Sequence, residues 1–175
     1  EAILSLHIYT DIFLYRCKNP TGATSCDYTD EKRLLMHRCR TLSEYVCYLL
    51  VVHPEMLPVS GSVTDVLQKA SDTVATARST APTKNKLLEK LAADGDRNRL
   101  DDPVLAAASL FRGLAEEAVH SHESLQVLVR AWMGILLYAA GKSRGEVHAR
   151  QLNKGGELLT FLWLHLAHNG HGDLG

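Results

Sequence analysis

The chain has 175 residues, 46% of them hydrophobic and 22% charged, with a formal net charge of -1. That length suits one domain with a substantial core, and the near-neutral balance excludes the overall electrostatic footprint of a nucleic-acid binder or a binder of anionic membranes. Four cysteines stand at 17, 26, 39 and 47 without a CxxC pair, which suits free thiols in a reducing compartment better than a disulfide framework.

The sequence opens on Glu1 and passes at once into "AILSLHIYTDIFLY", an apolar helical pattern that predicts a first helix over residues 2–16. It lacks the basic start, apolar middle and small-residue cleavage site of a signal peptide, so the chain reads as an excised portion of something longer. After the turn-rich "CKNPTGATSCDYT", Thr29 is placed to cap a second helix whose first turn holds Asp30 and Glu31 and which Pro54 stops near His53. Leu35, Cys39, Leu42, Val46, Leu49 and Val52 form its apolar stripe. Beyond "PEMLPVSGS", a small-residue face of Val66, Ala70, Val74 and Ala77 predicts a weaker helix over 63–78, followed by the short "KLLEKLAA". The polar segment 94–102, "DGDRNRLDD", is the expected mobile loop. Asp102 and Pro103 make an N-cap and first-turn pair for a helix that carries Val104, Ala108, Phe111, Ala115 and Ala118 on one face.

From Ser124 to Ala140 the spacing of Leu125, Leu128, Val129, Trp132, Met133, Leu136 and Ala140 is close to a heptad, with further apolar residues between. A last apolar helix is expected over about 157–169, and both should be wrapped by neighbours on nearly all sides. Whether "VHARQLNKGG" runs into that last helix or turns before it stays open, because Gly155 and Gly156 weaken a helix without forbidding it. No uninterrupted apolar run reaches the eighteen or so residues of a membrane helix. Strand alternation is missing, so the expected architecture is an all-α, single-domain bundle of about six to eight helices with two nearly all-apolar central helices.

Several polar groups invite chemistry. His7 and Asp11, four residues apart, could form an imidazole–carboxylate dyad for general-base work, although a structural pair satisfying a half-buried histidine is the commoner use. Arg130 interrupts the heptad helix, where a guanidinium must either snorkel or meet a carboxylate, and a buried pair with Asp11, Glu44 or Glu157 is expected. His165 and His168 share a helical face compatible with a metal, but no HExxH or clustered cysteine completes a site, so no metal is called for. "AAGKSRG" lacks the glycine and the preceding strand of a phosphate loop. Lys142, Arg144, Arg150 and Lys154 make "GKSRGEVHARQLNKGG" locally positive, a patch for an acidic partner, a phosphate or a lipid headgroup, or simply a solvated connector.

The string "GEVHARQLNKGGELLTFLWLHLAHNG" (145–170), with "LHIYTDIFLY" (6–15) and "LSEYVCYLLVVHPEMLP" (42–58) in the same order, resembles the recurring blocks of a plant family, domain of unknown function 594. The resemblance implies the C-terminal domain of a membrane-anchored plant protein whose N-terminal half carries membrane helices in a domain of unknown function 4220. It implies a cytosolic placement and a setting in stress or defence signalling. It lends no catalytic residue. His7, Asp11, His148, Gly155, Gly156, Glu157 and His168 lie in the matching blocks, and with Arg130 they include the candidate polar centre His7, Asp11, Arg130, His148, Glu157 and His168.

The leading expectation is a helical protein-interaction or regulatory domain without catalysis or cofactor. It would have a protein partner, contact a membrane surface only through its parent, and take no nucleic acid; the oligomeric state is left open. The alternative is an enzyme or small-ligand binder in which His7, Asp11, Glu157 and His168 converge on a cleft.

Overall fold

The computed structural model describes residues 1–19, 29–81, 83–93, 102–113, 118–119 and 121–170. Among them lie eight α-helices and one 3-10 turn: α1 (Ala2–Lys18), α2 (Asp30–Val52), the 3-10 turn (Pro54–Met56), α3 (Val63–Arg78), α4 (Lys84–Ala93), α5 (Pro103–Arg112), α6 (His122–Lys142), α7 (Gly145–Leu152) and α8 (Leu158–His168). The bundle is all-α, as its periodicity requires. Loop 94–101 and Ala115 lie outside the described residues.

Local chemistry sets the helix ends. Thr29 Oγ1 accepts the Lys32 N–H at 3.3 Å, and the Asp102 carboxylate accepts the Val104 and Leu105 N–H groups at 2.8 and 3.3 Å. Each cap satisfies amide donors that the first helical turn leaves without a partner. Asp102 is also buried and accepts the Thr73 hydroxyl, which ties the start of α5 to α3. The question at Gly155 and Gly156 is resolved by their backbone: φ is +108° and +79°, a region that only glycine enters cheaply, so α7 ends and α8 starts afresh. At Gly156 a Cβ would also stand 3.1 Å from the Phe161 ring.

The helices pack in the spatial order α5, α1, α2, α6, α8, with α4 resting on α1 and α5, α3 on α5, and α7 on α8 and the 3-10 turn. The core runs through this order. Ile12, Phe13 and Leu14 of α1 meet Cys39, Val46 and Leu49 of α2, Val104, Ala108 and Phe111 of α5, and Leu125, Trp132 and Leu136 of α6. Trp132 is fully buried and its indole N–H donates to Thr10 Oγ1 at 3.1 Å, joining α6 to α1.

Two expectations about burial need correcting. The apolar helices α6 and α8 are present, but neighbours do not wrap them on nearly all sides. α6 buries Leu125, Leu128, Trp132, Leu136, Ala139 and Ala140 and leaves Val127, Met133, Leu137 and Tyr138 exposed. α8 buries Leu159 and Thr160 and exposes Leu158, Phe161 and Leu164. By length and composition α6 can cross a membrane despite Arg130, and 33% of its apolar stretch is buried within the bundle. Apolar content alone does not choose between a core face and a face kept for something else. On α2 the stripe ends one turn early, since Val52 is exposed while Met36, Ser43 and Leu50 join the buried set.

Candidate functional site

Four side chains of the expected polar centre, His7, Asp11, His148 and Glu157, engage separate partners, while Arg130 and His168 are exposed. On α1, His7 Nδ1 lies 2.9 Å from Ser43 Oγ of α2, and Asp11 Oδ2 receives Lys84 Nζ of α4 at 2.8 Å. The dyad therefore opens into two interhelical links. Burial lowers the His7 pKa from its ordinary value, with the Asp11 carboxylate pulling the other way. The buried pair expected of Arg130 is not formed: Arg130 is exposed, Asp11 is engaged by Lys84, and Glu157 is engaged elsewhere. Its position on the outer face of α6 explains this, because a guanidinium that reaches water needs no partner carboxylate.

His148 on α7 is fully buried. Its Nδ1 lies 3.3 Å from Thr160 Oγ1, and its ring stacks on Trp163 with centroids 4.9 Å apart and planes 11° from parallel. Burial lowers its pKa, because desolvation disfavours the charged ring. His168 and His165 are exposed on the last turns of α8, where Asn169 Nδ2 donates to the His165 carbonyl at 2.7 Å. Among the described residues no group of three or more His, Cys, Asp or Glu side chains is placed to hold a metal. Lys142, Arg144, Arg150 and Lys154 are all exposed, at the end of α6 and along α7 and its following turn.

Glu157, the N-cap residue of α8, is the hub of a polar cluster drawn from α2, α7 and the start of α8. Tyr45 and Tyr48 of α2 donate their hydroxyls to its two carboxylate oxygens at 3.3 and 3.2 Å, and His53 Nε2 stands 3.9 Å from Oε1. The Tyr45 oxygen in turn accepts the Leu159 N–H at 3.0 Å, while Gln151 Nε2 lies 3.2 Å from His53 Nδ1. Burial, with the Glu157 charge in support, pushes the Tyr45 phenol up to about 12, so it stays a neutral donor. Sequence reasoning missed Tyr45, Tyr48 and His53. Their one signal was the i, i+3 placement of the tyrosines, which puts both on one face of α2.

Chemically this cluster is a clasp: a carboxylate holding phenols from a helix more than a hundred residues away. Tyr45→Phe leaves Glu157 short of one donor and the Leu159 N–H short of its acceptor. The expected cost is about 1–3 kcal/mol, read as a lowered midpoint in urea; an unchanged midpoint would show that the clasp carries no stability.

Neither a curated protein nor a solved structure matches the chain. Over residues 117–170, which take in α6, α7 and α8, the chain matches the family described as "Protein of unknown function, DUF594".

Proposed function

We propose that the chain is a helical protein-interaction domain whose docking surface is the outer face of α6, continued onto α8. The observation that carries this reading is the exposed apolar row Val127, Met133, Leu137 and Tyr138, at 61, 40, 41 and 60% exposure. Exposed Phe161 and Leu164 follow on α8, the helix that packs against α6. A monomer seldom leaves so many large apolar side chains of adjoining helices in water without a use for them. Gly134 and Gly141 on α6 have open space where a Cβ would stand, which leaves room for another backbone to approach. At the N-terminal end of the row, a cleft of about 530 Å³ between Tyr9, Phe13, Val127 and Leu128 can seat an anchoring side chain.

The occupant that fits is an amphipathic helix of a partner protein, laid along α6 with its apolar stripe inward and an acidic residue opposite Arg130. The resemblance of all three sequence blocks supports a wider setting: the C-terminal, cytosolic domain of a membrane-anchored plant protein, acting in stress or defence signalling. The polar residues support interaction over catalysis, since His7, Asp11 and Glu157 each hold other helices together.

Leu137→Asp and Tyr138→Asp on the full-length parent test the reading, with proximity labelling in plant cells followed by binding of the purified candidate. The expected result is a partner whose affinity drops at least about tenfold for both variants and is unchanged for Lys154→Ala. Equal labelling and equal affinity across all chains overturns the proposal. Self-association of the purified chain that both aspartates abolish would also overturn it, in favour of a second copy.

A further inference from the structure

A second feature uses other helices. Leu14 and Lys18, four residues apart on the last turns of α1, face Arg33, Met36, His37 and Arg40 of α2 across a cleft of about 350 Å³. The α2 positions advance by three, one and three residues and so share one helical face. Leu14 and Met36 are buried and make an apolar floor, while Lys18, Arg33, His37 and Arg40 stand exposed around it.

Among the described residues, the nearby carboxylates Asp30 and Glu31 do not balance this charge. Asp30 Oδ1 reaches Arg33 Nη1 at 3.6 Å, and Glu31 is turned toward His122 of α6 at 3.5 Å. Among the described residues no hydrogen bond or ion pair engages Lys18, His37 or Arg40. One ammonium, two guanidinium groups and an imidazole therefore surround a single small cleft in a chain whose overall charge is -1. The positive end of the α2 dipole lies one turn from Arg33 and adds to the same sign.

We propose that this cleft binds a compact organic phosphate carrying at least two phosphoryl groups. Guanidinium forks match phosphate oxygens bidentately, and two of them with a lysine can share more than one phosphoryl group. The volume is at the small end for a ligand site; it suits one compact molecule, whose carbon skeleton would rest on Leu14 and Met36, and is short for an extended acidic peptide. The same chemistry is offered by a free polyphosphorylated metabolite and by a phosphoinositide headgroup.

The test titrates the whole chain with inositol hexakisphosphate by calorimetry. In parallel it measures co-sedimentation with phosphatidylcholine vesicles that carry either phosphatidylinositol bisphosphate or phosphatidylserine at matched charge. The expected result is saturable binding of one probe molecule per chain, weakened at least about tenfold by Lys18→Glu and by Arg40→Glu. Arg38→Glu, a charge reversal on the same helix outside the cleft, should weaken it only by roughly twofold to threefold. Retention on bisphosphate vesicles beyond the phosphatidylserine vesicles assigns the site to a headgroup; binding of the soluble probe alone assigns it to a free ligand. The proposal is overturned if neither probe binds saturably, if Arg38→Glu weakens binding as much as Arg40→Glu, or if polyglutamate of equal charge competes equally well. All three substituted residues are exposed, so the variants are expected to fold.

Discussion

Replacing Trp132 with Ala is expected to destabilise the chain by about 3–5 kcal/mol and to lower its melting temperature by roughly 10 °C or more. The indole is fully buried among α1, α2 and α6, and its N–H is the donor that reaches Thr10. Truncation leaves a cavity in a core that can close only in part, and it removes that interhelical hydrogen bond. Trp132→Phe keeps most of the ring and loses the donor, so its cost should be smaller, on the order of 1–2 kcal/mol. The neighbouring residue supplies the contrast. Met133 is 40% exposed, and Met133→Ala should stay within about 0.5 kcal/mol of wild type. Thermal melts of the three variants decide the matter. A Trp132→Ala chain that melts within a degree or two of wild type would mean that α6 is not held by this face.

The second large effect is a loss of stability on mild acidification. Burial lowers the pKa of both His148 and His7 below the ordinary imidazole value near 6.5; at His7 the Lys84 charge adds to the lowering, while the carboxylates of Asp11 and Glu44 and the hydrogen bond to Ser43 oppose it. Between about 6.5 and each lowered folded-state value, the unfolded chain carries a proton that the folded chain does not. The unfolded state then binds more protons, so stability is full above that window and declines as pH falls through it. Each histidine contributes at most about 1.4 kcal/mol per pH unit to the slope. Urea midpoints measured from about pH 7.5 to about pH 5.5 should fall steadily. His148→Phe preserves the stack on Trp163 but cannot be protonated, so its slope should be shallower, with the remainder due to His7. A slope unchanged by His148→Phe would show that the α7–α8 interior admits the charged ring.

The places where sequence reasoning succeeded share a cause. Thr29 ahead of Asp30, Pro54 after His53, and Asp102 ahead of Pro103 are local signals, since a cap or a missing N–H acts within a turn of itself. The helix over 63–78 ends where its small-residue face ends. What failed was the choice of face. In α6 almost every position is apolar, so the pattern carries little information on which side meets α2 and α8, and Arg130 was assigned an interior it does not enter. The Glu157 clasp was half legible: Glu157 stood out, but Tyr45 and Tyr48 lie about 110 residues earlier and meet it only through the packing of α2 against the C-terminal helices. The cationic cleft was hidden for a different reason. Its α2 residues belong to the polar face, which periodicity treats as solvent, and Lys18 joins them only because α1 lies alongside α2.

The thiols on α1 and α2 carry a last consequence. Cys17 is buried with its Sγ 2.9 Å from the Val119 carbonyl, Cys39 is buried with its pKa pushed up to about 12, and Cys47, half-buried, is raised as well. The thiolate is the form that attacks an electrophile, and Cys39 and Cys47 give little of it, while Cys17 is shielded by burial, as long as the helices stay closed. Alkylation of Cys17 and Cys39 under native conditions thus keeps time with the parting of α1 from α2, and a slow or rapid label turns these two side chains into a clock for how often the bundle breathes.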